Sequence, residues 1–101
     1  MTQPLQPADH AFISACSALV LESMMTKADE DLYVECAERV IEKINRTNEP
    51  LSRVYLSFIQ FRSARQVRSE RPSALFGMQV ALHSFHRWRM GVAIGAAEAK
   101  A

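Results

Sequence analysis

The sharpest chemical pattern in this sequence is a run of arginines at intervals of three residues: Arg62, Arg65, Arg68 and Arg71. A guanidinium group is planar, stays charged and can form two parallel hydrogen bonds with a carboxylate or a phosphate. On one continuous helix, each arginine would lie about 60° behind the previous one, because three residues advance the helix by about 300°. The run therefore predicts a basic fan. These arginines either bind an acidic partner or pair with acids of the same chain. The second alternative has equal weight, because most surface charges contribute little and bind nothing specific.

A second polar and aromatic cluster follows at residues 83–89, and three of its members, His83, His86 and Arg87, share one face of a helix. Trp88 is flanked by arginines, and Trp and Arg are the residues that most often dominate interface energetics. The alternative is a tryptophan beside the core with arginine stems lying over apolar surface. Together the two clusters predict a partner-binding face made of Arg62, Arg65, Arg68, Arg71, His86, Arg87, Trp88 and Arg89.

Metal-binding and catalytic patterns are weak. His83 and His86 could share a metal ion only with a third ligand from elsewhere, such as His10 or a cysteine, and the spacing matches no zinc motif. No serine-nucleophile, phosphate-loop or dinucleotide-binding motif occurs. We therefore predict no metal site, no cofactor, no small-molecule substrate and no enzymatic activity. Cys16 and Cys36 fall on apolar helix faces, which predicts buried and reduced thiols.

The two halves of the chain carry opposite charge. Residues 1–50 hold nine acids and four bases, a net charge of −5, whereas residues 51–101 hold two acids and eight bases, a net charge of +6. The total of +1 is low for a dedicated nucleic-acid binder of this size. The basic half nevertheless keeps nucleic-acid binding as an alternative, through the clusters Arg62–Arg71 and Arg87–Arg89.

Apolar residues recur at helical spacing along most of the chain, and no alternating strand pattern competes with them. We predict four helices, at about residues 10–25, 29–44, 50–71 and 73–95. Asp9 is expected to cap the first helix. Pro50 is expected in the first turn of the third, and Pro72 is expected to end it, because the residue before a proline avoids the helical conformation. No Gly or Pro enforces the turn near residues 26–29, so one long first helix remains an alternative.

These helices predict an all-α fold, a small single-domain bundle of about four helices arranged as two helical hairpins. Residues 1–8 form an irregular lead, 9–95 the bundle domain and 96–101 a tail that frays. In the second helix the expected core positions are Leu32, Tyr33, Cys36, Ala37, Val40 and Ile44. In the fourth helix a row at coiled-coil spacing predicts a seam for a homodimer, formed by Leu75, Met78, Leu82 and Phe85.

Three observations favour a protein-binding function. Catalytic motifs are absent, the apolar content of 49% is high for a chain of this size, and arginines and the tryptophan are concentrated in the second half. We predict a small non-enzymatic regulator or inhibitor that occludes a surface of a partner protein. A structural or chaperone-like subunit of a larger assembly is a further alternative. No apolar stretch reaches the roughly 18 residues of a membrane span, and no basic leader precedes an apolar segment. The expected location is the cytoplasm, without a membrane partner.

Overall fold

The chain folds into four helices. The computed structural model describes residues 4–21 and 25–100, with side chains described as far as residue 95. Its helices are α1 (Pro7–Leu21), α2 (Lys27–Val40, followed by a 3₁₀ turn at Ile41–Lys43), α3 (Glu49–Ala64) and α4 (Arg71–Lys100). No strand occurs within these described ranges. The predicted all-α bundle is confirmed, whereas its domain limits remain a prediction.

The helices pair as two hairpins, α1 with α2 and α3 with α4, and α1 joins the hairpins by packing against both α3 and α4. The 30 residues of α4 span about 45 Å, close to the 50 Å length of the whole molecule. Its partner α3 has only 16 residues, about 24 Å. The end of α4 therefore extends beyond the bundle, and residues 90–95 are all exposed.

The core is centred on phenylalanines from three helices. Phe12 of α1 and Phe58 of α3 are fully buried and meet edge to face, with ring centroids 5.5 Å apart. Phe61 of α3 and Phe85 of α4 are also buried in the same cluster. Burial stabilises the fold by up to about 3 kcal/mol per large side chain, and an aromatic pair adds about 1 kcal/mol. This cluster fixes the position of α4 against the other helices.

The buried face of α2 differs from the predicted one. Leu32 and Cys36 are exposed, and Tyr33 and Val40 are only half-buried. The row that enters the core has a 3-4-3 spacing and consists of Val34, Ala37, Ile41 and Ile44. This spacing keeps Val34, Ala37 and Ile41 on one face of a helix, and the buried row continues through the 3₁₀ turn at Ile41–Lys43 to Ile44.

The junction between α3 and α4 also differs from the prediction. The third helix does not continue to Arg71, because α3 ends at Ala64 and residues 65–70 form turns. Pro72 lies in the first turn of α4 and not at the end of α3, and a proline is tolerated there since its missing N–H would have no partner in the helix. The predicted 60° fan of arginines therefore does not exist. Pro50 does lie in the first turn of α3, as predicted, after the capping residue Asn48.

Asp9 is a buried carboxylate that holds two segments together. It was expected to precede the first helix, but it is the third residue of α1 and only 1% exposed. One carboxylate oxygen accepts the backbone N–H of Gln6 at 2.9 Å, which is how a third helical residue caps the helix start. The other oxygen accepts the backbone N–H of Asn45 at 3.0 Å, in the connection between α2 and α3.

Asp9→Asn is expected to lower the free energy of unfolding by about 2 kcal/mol, because hydrogen bonds to a charged acceptor are lost and an amide is left facing a backbone N–H. Urea denaturation followed by circular dichroism measures the difference. Asp29→Asn, at an exposed first-turn position of α2, is the control and should cost about 0.5 kcal/mol. Equal losses in the two variants would contradict the role of Asp9.

Candidate functional site

Arg65, at the end of α3, is directed at the acids of α2. Its Nε donates a hydrogen bond to Glu30 Oε1 at 2.9 Å, and its Nη2 donates one to Asp31 Oδ1. The side chain is only 12% exposed. Burial alone would lower the pKa of Arg65, but the hydrogen bonds and negative charges of Asp31 and Glu30 outweigh it and raise the pKa above its ordinary value. Arg65 is therefore a permanent cation bound within the chain.

Two neighbouring arginines also pair with α2. Arg71 Nη2 donates to Glu30 Oε2 at 2.5 Å, and its guanidinium lies over the ring of Phe61, 5.6 Å from the centroid. Arg62 lies 3.7 Å from a carboxylate oxygen of Glu38, in a more exposed pair. We call the group Glu30, Asp31, Arg65 and Arg71 the ionic cluster. It realises the alternative in which the arginines pair with acids of the same chain, and a partner-binding role for them remains a prediction.

Three other arginines carry unneutralised charge. Arg68, in the turn before α4, and Arg87 and Arg89, on α4, are exposed, and none of them forms an ion pair with another residue of the described part of the chain. His86 is exposed beside them, and its ring meets Phe85 edge-on at 5.7 Å. The arginines that remain available to a partner therefore lie in the last connection and along α4.

Trp88 bridges the core and the surface. Its ring lies 5.6 Å from that of Phe85 at an angle of 46°, and the side chain is half-buried against the core. This is the position expected of a tryptophan that flanks the core. Its remaining exposed part lies between the exposed residues Arg87 and Arg89.

The predicted homodimer seam requires correction. Met78 and Phe85 are fully buried, Leu82 is 5% exposed, and Leu75 packs partly buried against the same cluster. These side chains fill the core between α4 and the helices α1 and α3, so they are not available to a second copy in this fold.

An apolar groove that the sequence reading missed lies between the end of α1 and the first half of α4. It encloses about 390 Å³ and is lined by Ser17, Val20, Leu21, Phe76, Gln79, Val80, Leu82, His83 and His86. Three of its apolar side chains are open to solvent: Leu21 is 78% exposed, Phe76 65% and Val80 49%, whereas Val20 is half-buried and Leu82 is buried.

Three of the groove residues of α4, Phe76, Val80 and His83, belong to a second row at heptad spacing, which we call the outer stripe. It consists of Phe76, Val80, His83, Arg87, Met90 and Ile94, and its four apolar members are all exposed. Phe76 lies nine residues before the buried Phe85, so the two rows point in nearly opposite directions on a helix. The 4-3-4-3-4 spacing of this row was the signal available in the sequence.

No group of three His, Cys, Asp or Glu side chains in the described ranges is arranged to hold a metal ion. No described helix combines the length and the apolar character needed to cross a bilayer. Cys16 and Cys36 are both free thiols, but only Cys16 is buried. The prediction of two buried thiols is therefore wrong for Cys36, which shares the misassigned face of α2.

The two cysteines should differ in reactivity. Burial raises the pKa of the Cys16 thiol, so it stays protonated and shielded at neutral pH, where only thiolates react readily. We expect a maleimide to modify one thiol per folded chain and two per chain in urea, with intact mass spectrometry as the measurement. In Cys36→Ser the folded chain should remain unmodified, and rapid modification of Cys16 would contradict its burial.

Comparison with known proteins gives no match for this chain among family models, curated proteins or solved structures. The function proposed below is therefore inferred from the geometry of the ionic cluster, the groove and the outer stripe.

Proposed function

We propose that this chain is a small non-enzymatic protein-binding protein, a regulator or inhibitor that covers a surface of a cytoplasmic partner with α4 and the end of α1. One observation carries the proposal: Leu21, Phe76 and Val80 leave an apolar groove open to solvent. Soluble monomers seldom expose large contiguous apolar patches, and those with a polar rim are frequently interaction sites.

The surroundings of the groove support the same function. Interfaces typically have an apolar centre and a polar rim, with aromatic residues and arginine enriched. Here the apolar centre is followed along α4 by His86, Arg87 and Arg89, whose positive charges would orient a partner and speed its encounter. Trp88 is already held against Phe85, so it would lose little side-chain entropy on binding.

The ionic cluster favours a protein over a nucleic acid as the partner. Nucleic-acid binding was expected to use Arg65 and Arg71, but their guanidinium groups are engaged by Glu30 and Asp31. A mobility shift with single-stranded nucleic acid that weakens steeply with salt would argue against the proposal.

The proposal is tested by affinity capture with a tagged chain and its variants. The unchanged chain should retain partner protein from a native lysate. The double variant Phe76→Ser, Val80→Ser should retain about tenfold less of it, since truncating a hot-spot residue weakens binding by roughly this factor or more. Leu56→Ser is the matched control, because Leu56 is equally exposed but lies on α3, outside the groove. Thermal unfolding verifies that each variant folds. Equal retention by the double variant and the control would refute the proposal.

A further inference from the structure

We infer that the groove and the outer stripe accept one amphipathic helix of the partner protein, and that this helix is acidic along its contact face. The inference rests on the proposed function and names the chemical class of the partner segment. It follows from the shape of the surface and from its charge.

The shape fits a helix. From Phe76 to Ile94 the outer stripe extends about 27 Å, which is five turns of a helix lying alongside it. Its heptad spacing matches the side-chain rows with which one helix packs against another. Leu21, at the end of α1, forms a second wall over the first part of this surface. A peptide that adds as a β-strand would instead require the edge of a sheet, and the described part of the chain contains no strand.

The charge selects an acidic helix. Residues 72–97 contain no Asp or Glu, whereas they contain two arginines and two histidines. Arg87 lies in the outer stripe between Val80 and Met90, and His83 and His86 line the groove. A helix lying along α4 therefore meets apolar side chains at both ends and positive or neutral ones in the middle. Carboxylates at that level of the partner helix would pair with Arg87, whereas lysines would be repelled.

A second copy of this chain matches the charge poorly. Antiparallel pairing of two outer stripes would bring Phe76 to Ile94 and Val80 to Met90, which is favourable. The same register brings Arg87 opposite His83, with no acid from either copy between residues 72 and 97 to compensate. Charge complementarity therefore favours a different, acidic partner helix.

The test uses the full chain and a labelled synthetic helix of about 20 residues, with leucines at heptad positions and glutamates flanking them. A second peptide has lysine in place of every glutamate. In fluorescence anisotropy, the acidic peptide should bind about tenfold more tightly than the lysine peptide, because like charges opposite Arg87 are unfavourable. Phe76→Ser should weaken binding of the acidic peptide about tenfold, Leu56→Ser should not, and Arg87→Glu should remove the preference for acid.

Equal binding of the two peptides, or binding of neither, would overturn the inference. A dimer in sedimentation equilibrium that Phe76→Ser dissociates would also overturn it, by assigning the groove to a second copy. These outcomes are distinct from failure of the proposed function. If neither peptide binds but the variant Phe76→Ser, Val80→Ser still loses its captured partner, protein binding stands and only the acidic helix is refuted.

Discussion

Arg65→Glu is expected to lower the free energy of unfolding by about 4 kcal/mol, a large part of the stability of a domain of this size. The substitution removes the hydrogen bonds to Glu30 and Asp31 and places a third carboxylate beside them. Glu30 is largely buried, so its charge cannot be rehydrated without moving α2. Urea denaturation followed by circular dichroism gives the value.

The control is Arg68→Glu, only three residues along the chain. Arg68 is exposed in the turn before α4 and forms no ion pair within the described ranges, so its reversal should change stability by less than about 0.5 kcal/mol. Equal unfolding midpoints for the two variants would mean that the ionic cluster is no stronger than an exposed surface pair.

Phe58→Ala is expected to cost about 4 kcal/mol, because it removes a fully buried ring and its edge-to-face contact with Phe12. Leu56→Ala, two residues earlier on α3, should cost less than about 1 kcal/mol, because that side chain is 59% exposed. Both substitutions introduce the same residue into the same helix, so their difference isolates burial from helix propensity. A comparable loss in Leu56→Ala would show that the buried face of α3 is assigned wrongly.

The helical class and the buried face of α3 follow from the sequence. Phe58 falls on the apolar row of α3 and Leu56 falls off it, and the structure separates them as buried and exposed. Local spacing is sufficient here because one row of α3 is clearly more apolar than any other. On α2 two neighbouring rows are similarly apolar, and the packing of α1 decides between Val34 and Leu32.

The junction after α3 could not be predicted from local rules. A proline is compatible both with the end of a preceding helix and with the first turn of the next, so Pro72 alone does not place the break. The observed break at residues 65–70 accompanies the long-range pairing of Arg65 and Arg71 with Glu30. The opposite charges of the two halves therefore act, in large part, within the molecule.

The groove was missed because α4 carries two apolar rows with heptad spacing. Periodicity shows that Phe76 and Phe85 lie on opposite sides of the helix, but it does not show which side the other helices cover. The positions of α1 and α3 bury Phe85 and leave Phe76 open. Leu21 becomes part of the same surface only through the packing of α1 against α4.

Site-specific photo-crosslinking in living cells tests the proposed binding face most directly. A photoreactive phenylalanine analogue is placed at Val80, in the outer stripe, and separately at Leu56 on α3, two positions that are both exposed and apolar. We expect irradiation to cross-link the chain to a different protein from position 80 and not from position 56. A cross-link from position 56 alone, or only to a second copy from position 80, would contradict the proposal that α4 and the end of α1 bind a partner protein.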